Sequence, residues 1–309
     1  MSIVIFGEAM LEYHSGASSG GLRYGGDTLN TAIHLARMGH DVAYVTAVGK
    51  DPISDALVSA WAAEGIDTRF VFRHPDRSPG IYAIRVDDTG ERSFLYWRDQ
   101  SAARDMFALP GMSLALAHAA TCDLAYYSLI TLAILPPEAR QSLLSAAHSI
   151  RERGGQVAYD SNFRRLLWPT LEAARAASND AVASATIGLP TNSDEGEITG
   201  RDLSEQDIAV NWLERGCIEV VVKAGDRGCL LARAGSEPEF VPVKRVVMVD
   251  ASGAGDGFNA GYLSARLEGL DPAQAADRGQ SLAGWVIRRH GAVPPVDDDL
   301  RQLLADFRG

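Results

Sequence analysis

Residues 249–258 read VDASGAGDGF, with three glycines, two alanines and, past Asp250, the lone acid Asp256 between an apolar run and an apolar helical pattern. Gly253, Gly255 and Gly257 let the backbone approach a ligand closely. The preceding VVMVD reads as a strand, ASGAG as a turn and DGFNAGYLSARLEG as a helix with apolar residues at helical spacing. The backbone N–H groups of Ala254, Gly255 and Asp256 would then converge at a helix N-terminus, where the helix dipole adds partial positive charge. That is an anion hole suited to phosphate, and Asp256 inside it is placed to take a proton from an attacking hydroxyl. Local spacing leaves a blander reading open, a glycine-rich turn with Asp256 as an ordinary first-turn acid. A Walker A loop is excluded, because no G-x-x-x-x-G-K-[ST] is present.

Around this stretch, apolar runs alternate with amphipathic ones: SIVIF, DVAYVTAV, CDLAYYS, GQVAYD, TIGLPT and IEVVVK read as buried strands, separated by helical patterns such as PPEARQSLLSAAHSIRERGG. The rhythm predicts an α/β fold with a mostly parallel sheet between two helical layers. Pro137 and Gly154 punctuate one helix at its start and end. From Gly80 to Arg98 the rhythm breaks into two period-two runs around DDTG, a hairpin signature. Alternation sets Tyr82 and Ile84 on one face of its first strand and Phe94, Tyr96 and Arg98 on one face of its second. A small antiparallel β lid beside a single domain over 1–309 is expected, formed roughly by 10–24 and 68–100.

With 309 residues and 46% hydrophobic content, the chain can bury a large core. A formal net charge of −11 argues against general affinity for nucleic acid or anionic membranes, so an anionic ligand must meet local cations. Cys122, Cys217 and Cys229 have no metal-like spacing and fit a reducing compartment. The start MSIVIFGEAM enters a strand-like run with neither a basic region nor a cleavage signal, and the expectation is a soluble cytoplasmic protein. The first strand runs into GEAMLE rather than G-x-G-x-x-G, which removes support for a dinucleotide-dependent dehydrogenase, and the seven histidines form no metal motif.

Four other stretches carry polar groups to strand ends, where ligands collect in open α/β sheets. In VVVKAGDRG, Gly225 and Gly228 allow the sharp turn a nucleotide edge would need, or simply join two strands. In GLPTNSDEGEITG, either Asn192 or Ser193 caps a helix, or Asp194 and Glu195 position magnesium through water. YDSNFRRLLW offers Asn162, Arg164 and Arg165. RYGGDTLNTAIHLARMG places Gly25 and Gly26 before a helix in which Asp27 or Thr28 is a cap, whereas Asn30, a poor helix former, is better explained by a polar ligand. An anion hole, a base, a metal site and a water-excluding lid together suit phosphoryl transfer.

GGDTLNTAIHLARMG and VDASGAGDGFNAGYL resemble the two signatures of the ribokinase-like (PfkB) sugar kinases, the second usually written D-T-x-G-A-G-D, and the likeness covers nearly the whole chain. Ala251 departs from the usual threonine. GEAMLEYHSG, TGERSFLYWRDQSAA and DSNFRRLLW are similar to the branch of that family acting on 2-keto-3-deoxygluconate. The resemblance implies a ribokinase-like three-layer sandwich and transfer of the ATP γ-phosphoryl group, with Mg2+, to the C6 hydroxyl of that sugar acid. It makes Asp256 the base and sets Gly253, Ala254 and Gly255 against the charge of the transferred group. It places Lys223, Gly225 and Gly228 along the nucleotide, Asn192 near its phosphates and Glu195 near a water-shelled magnesium. Gly26, Asp27, Asn30, Tyr82, Tyr96, Arg98 and Arg164 would contact the sugar acid.

Arg98 and Arg164 suit such a substrate chemically, since its permanent carboxylate takes charge-assisted hydrogen bonds that a neutral sugar does not need. The rivals are a kinase for another small sugar or sugar acid, such as fructose or 2-keto-3-deoxygalactonate, and a sensor without turnover, for which Asp256 would have no use as a base. Leu95 and Trp97 on the lid face opposite Tyr96 predict a homo-oligomer built from dimers through the lid.

Overall fold

The structure, a computed structural model, describes residues 1–15, 23–86 and 92–308; the expected DDTG turn and the side chain of Phe94 lie outside the described residues. Fourteen strands are β1 (Ser2–Phe6), β2 (Met10–Ser15), β3 (Arg23–Gly25), β4 (Asp41–Val48), β5 (Ile66–Asp67), β6 (Val71–Arg73), β7 (Gly80–Val86), β8 (Arg92–Trp97), β9 (Leu124–Ser128), β10 (Gln156–Asp160), β11 (Ile187–Gly188), β12 (Glu219–Lys223), β13 (Gly228–Arg233) and β14 (Glu239–Pro242) among the described residues. Helices α1 (Asp27–Arg37) and α2 (Pro52–Ala63) are followed by α3 (Met112–Ala119), α4 (Leu129–Ile134), α5 (Pro137–Glu152), α6 (Leu171–Ser184), α7 (Asn192–Thr199) and α8 (Glu205–Glu214). The last three are α9 (Ala254–Leu267), α10 (Pro272–Ile287) and α11 (Asp298–Asp306).

The ten-stranded main sheet runs β14-β13-β12-β11-β10-β9-β1-β4-β5, with β6 beside β4. It is parallel except where β13 and β14 turn back at one edge. Strand alternation divides the core. Ile3 and Ile5 of β1 pack with α1, α2, α9, α10 and α11, whereas Val4 and Phe6 pack with α3 to α8. Residues on both faces of β1 are essentially inaccessible, the reason its sequence is a continuous apolar run. Pro137 opens α5 at its first turn, and Gly154 follows its end at φ 83°. Where α9 crosses α10, a Cβ on Gly261 would lie 2.8 Å from Gly279 Cα, so glycine sets how closely these helices approach.

Two expectations about this sheet need correction. Residues 246–250 are not a strand: Val246 to Val249 are exposed, from 40% at Val246 to 86% at Val247, and no neighbouring strand pairs with them among the described residues. The N–H groups of Val249 and Asp250 instead donate to Ile287 O at 2.8 and 3.1 Å, tying the segment to the end of α10. The segment from 68 is likewise not lid, since β6 pairs with β4.

The lid is a four-stranded sheet, β3-β2-β7-β8. Its outer pairs are antiparallel, as the hairpin pattern predicts, but β2 and β7 run parallel. Each leaves the main sheet past a parallel strand, β2 after β1 and β7 after β6, so both travel in the same direction. Glu12, Tyr82 and Tyr96 form one cross-strand row, and Tyr13, Ala83 and Leu95 form a row on the opposite face.

Candidate active site

Because β1, β9, β10, β11 and β12 are parallel, their carboxyl ends share one edge, where Glu8, Asp160, Asn162, Asn192 and Lys223 emerge. The N-terminus of α9 lies at the same edge. Gly253 caps that helix at φ 72°, a conformation that favours glycine, and a Cβ there would stand 2.6 Å from Ala292 Cα. Asp250 holds the turn from beneath, accepting from Ser252 N and Gly291 N at 2.9 Å each. The expected convergence of three N–H groups is only partly met. Ala254 N donates to Ala251 O within the turn at 3.3 Å, so Gly255 and Asp256 supply the first-turn donors facing outward. Lys223 brings positive charge to this point, its Nζ 3.9 Å from where a Cβ on Gly255 would be.

Asp256 sits in the first turn of α9 among other acids. Burial chiefly, then the nearby Asp27 carboxylate, pushes its carboxyl up to about 8, against the lowering effect of a hydrogen bond from Asn30 and of Lys223. Asn30 Nδ2 donates to Asp256 Oδ2 at 2.8 Å, and Asn30 Oδ1 is buried without a partner among the described residues. Asp27 is also raised, mainly by burial. The capping reading of Asp27 and Thr28 is set aside: the N-cap of α1 is Gly26, and Asp27 Oδ2 accepts from Asn162 Nδ2 at 2.9 Å.

Sequence reasoning missed the polar floor beneath these acids. Lys223 Nζ lies 3.0 Å from both Asp160 Oδ1 and Asn259 Oδ1, while Asn259 Nδ2 donates to Asp160 Oδ2 at 2.9 Å. The overlooked signal was a polar residue inside an apolar pattern, the aspartate ending QVAYD and the asparagine in GFNAG. Lys223 therefore faces this floor as well as the anion hole.

On the lid, the rings of Tyr82 and Tyr96 lie 6.0 Å apart. The Tyr82 hydroxyl donates to the carboxylate of Glu12. Burial raises the Tyr82 phenol well above its usual range, and Asp256 adds to the effect, so the lid reaches the neighbourhood of Asp256. Arg98 is not a waiting cation. It is 6% exposed and paired with Glu8, itself 1% exposed, and Arg98 Nε and Glu8 Oε1 lack partners among the described residues. Arg164 is exposed, donates to Phe163 O at 2.7 Å and stands 3.8 Å from Asp194 Oδ1. Arg165 donates to Trp168 O at 2.7 Å, within its own turn.

At the carboxyl end of β12, Gly225 and Gly228 take φ of 61° and 124° in the turn joining β12 to its antiparallel neighbour β13. The cap of α7 is Thr191 rather than Asn192 or Ser193, its hydroxyl accepting from Asp194 N at 3.1 Å. Asp194 accepts from Ser161 Oγ and Phe163 N, both at 3.1 Å, and thereby links two strand ends. Glu195 is buried, and that burial pushes its carboxyl up to about 7, with Trp212 and Arg215 acting to lower it. No cluster of three or more His, Cys, Asp or Glu able to hold a metal occurs among the described residues. Asn192 Oδ1 and Glu195 Oε1 are nevertheless buried oxygens without partners there, a donor set that fits a hydrated Mg2+.

A base facing helix N–H donors and a lysine can deprotonate a hydroxyl and stabilise a transferring phosphoryl group. Comparison with known proteins agrees with that chemistry. The model of the pfkB family carbohydrate kinases matches residues 2–299. A 2-dehydro-3-deoxygluconokinase of Dickeya dadantii is 37% identical over 303 residues, covering 96% of this chain and 97% of that protein. The structure of a 2-dehydro-3-deoxygluconokinase from Thermotoga maritima superposes with a TM-score of 0.85 at 21% identity, covering 99% of each chain. A ribokinase II from E. coli in complex with ATP and Mg2+ does so with a TM-score of 0.81 at 20% identity, covering 99% of each chain. This chain belongs to the pfkB family of carbohydrate kinases.

Proposed function

We propose that the protein is an ATP-dependent kinase of 2-keto-3-deoxygluconate, forming 2-keto-3-deoxy-6-phosphogluconate. The observation that carries this reading is Asp256, a raised-pKa carboxylate held by Asn30 at the mouth of a helix N-terminus. Asp256 takes the proton of the C6 hydroxyl as its oxygen forms a bond to the γ-phosphorus. The bond from that phosphorus to the β,γ-bridging oxygen breaks, and ADP leaves. The N–H groups of Gly255 and Asp256, with Lys223, meet the negative charge of the transferring group. Asn192 and Glu195 would hold Mg2+ through water, and the ion supplies neutralisation of phosphate charge. Gly26, Asp27, Asn30, Tyr82 and Tyr96 would line the sugar, with Arg98 and Arg164 toward its carboxylate. Gly225 and Gly228 lie on the nucleotide side in this reading.

The high identity to 2-dehydro-3-deoxygluconokinase over nearly the whole chain supports the sugar acid. The Glu8–Arg98 pair favours a second reading, a kinase of a neutral sugar such as fructose, because Glu8 already neutralises Arg98. ADP release with 2-keto-3-deoxygluconate, 2-keto-3-deoxygalactonate, gluconate, fructose and ribose, compared as kcat/KM, decides between them. Preference for 2-keto-3-deoxygluconate supports the first reading, and preference for any of the other four sugars overturns it.

We further propose a homo-oligomer built from dimers through the lid. Tyr13, Ile81, Leu95 and Trp97 are exposed, Trp97 at 57%, an apolar face that a second lid would cover. A cytoplasmic location completes the reading, supported by three cysteines that are all free and buried. No helix among the described residues is long and apolar enough to cross a membrane.

A further inference from the structure

Helix α1 carries Asp27 and Asn30 at its start, and its next turn carries His34, which is 1% exposed. His34 Nε2 lies 3.0 Å from Ala292 O. A carbonyl only accepts, so Nε2 carries the proton, and Nδ1 is left bare and without a partner among the described residues. Burial holds the imidazole down at about 4, so it is neutral and keeps this tautomer at working pH. The ring stands edge-on to Trp285 at 6.3 Å. An apolar residue would fill this core position without leaving a bare nitrogen, so the bond to Ala292 is what distinguishes histidine here.

Ala292 is the residue against which the anion hole rests, its Cα 2.6 Å from where a Cβ on Gly253 would be. Its neighbour Gly291 donates to Asp250 at 2.9 Å, and Arg37, one turn beyond His34, donates to Pro294 O at 2.8 Å. The loop 291–294 is thus clasped between the helix bearing the sugar residues and the turn bearing the phosphate donors.

We infer that His34 is a positioning residue for phosphoryl transfer, fixing through Ala292 the place of the Gly253 turn relative to Asp27 and Asn30. The inference rests on the kinase reading above and not on the identity of the sugar. Small misplacement of reacting groups lowers rates steeply, by about 100-fold per ångström.

The test compares His34→Leu and His34→Phe, which lack a donor, with His34→Gln, which keeps one. The phenylalanine variant also keeps a ring against Trp285 should the leucine variant fail to fold. Calorimetric titration with ADP and with the non-hydrolysable analogue AMP-PNP reads the hole without any sugar. The donor-free variants are expected to lose about tenfold of the AMP-PNP preference over ADP and about tenfold in kcat, with the sugar KM within about twofold. The glutamine variant should stay within about threefold of wild type throughout. An unchanged AMP-PNP preference in a folded donor-free variant, or equal losses in the glutamine and donor-free variants, overturns the inference. Wild-type silence with every sugar would sink the substrate reading while the nucleotide titration still decides the role of His34.

Discussion

The amide of Asn30 donates to Asp256 Oδ2 at 2.8 Å, joining a helix near the start of the chain to one more than two hundred residues later. One carboxylate oxygen is held, and the other stays available to the hydroxyl that must lose its proton. Replacing Asp256 by Asn keeps the shape and removes the base. Turnover is expected to fall by about 100- to 10,000-fold while nucleotide affinity changes little. Steady-state kinetics beside calorimetry separate the two effects, and a near wild-type kcat would end the assignment of Asp256.

The raised pKa of Asp256 sets a pH dependence. The base works ionised, so kcat/KM should climb with pH and level off above about 8. Asp27→Asn removes a neighbouring negative charge and should move that limb to lower pH, whatever it does to the plateau. Stability runs the opposite way. The folded state keeps a proton that the unfolded chain has released, so the contribution of Asp256 to stability is full below pH about 4 and is lost as pH rises toward 8. Asp256→Asn should flatten that decline, raising Tm more at pH 8 than at pH 5.

Glu8 and Arg98 form a buried pair, and removing one partner leaves the other charge uncompensated. Arg98→Leu should destabilise by about 3–5 kcal/mol, and Glu8→Leu combined with it should recover much of the loss. Denaturant titration of the single and double variants tests the coupling. Kinetically, Arg98→Leu should harm carboxylated substrates more than neutral ones, and equal harm would argue that the pair only supports the lid.

Two glycines in one helix separate chemistry from packing. Gly253→Ala forces a side chain into a left-handed conformation against Ala292, so both turnover and stability should suffer. Gly261→Ala pushes α9 from α10 away from the reacting groups. A loss of about 1–3 kcal/mol is expected there, with kcat within about threefold. Equal kcat losses in both variants would deny Gly253 a special place in the anion hole.

The open lid face gives a prediction about assembly. Trp97→Arg should shift the sedimentation of the protein toward monomer at micromolar concentration. Wild-type protein sedimenting as a monomer would refute the lid interface outright.

The layered core was legible because buried parallel strands leave continuous apolar runs, and β1 is one of them. Asp256 was legible because its glycines crowd the start of an apolar helical pattern, and the hairpin because side chains alternate. Other features depend on partners remote in sequence. Val246 to Val249 have strand-like composition, but no strand pairs with them among the described residues. Thr191 and Asn192 are both good caps, and only backbone geometry makes Thr191 the cap of α7. Nothing near Glu8 reveals that its partner is Arg98, since the two meet only when β2 and β8 are brought to either side of β7.

The parallel pairing of β2 with β7 bears on the order in which the molecule forms. Strands whose residues stand 70 positions apart, as Glu12 and Tyr82 do, cannot join through a local turn. Their union closes a long loop, a cost that falls once the intervening chain, with β4 and β6, has folded. The lid should therefore be the last part to assemble and the first to open, gaining amide protection after β1 and β4 in pulsed hydrogen exchange.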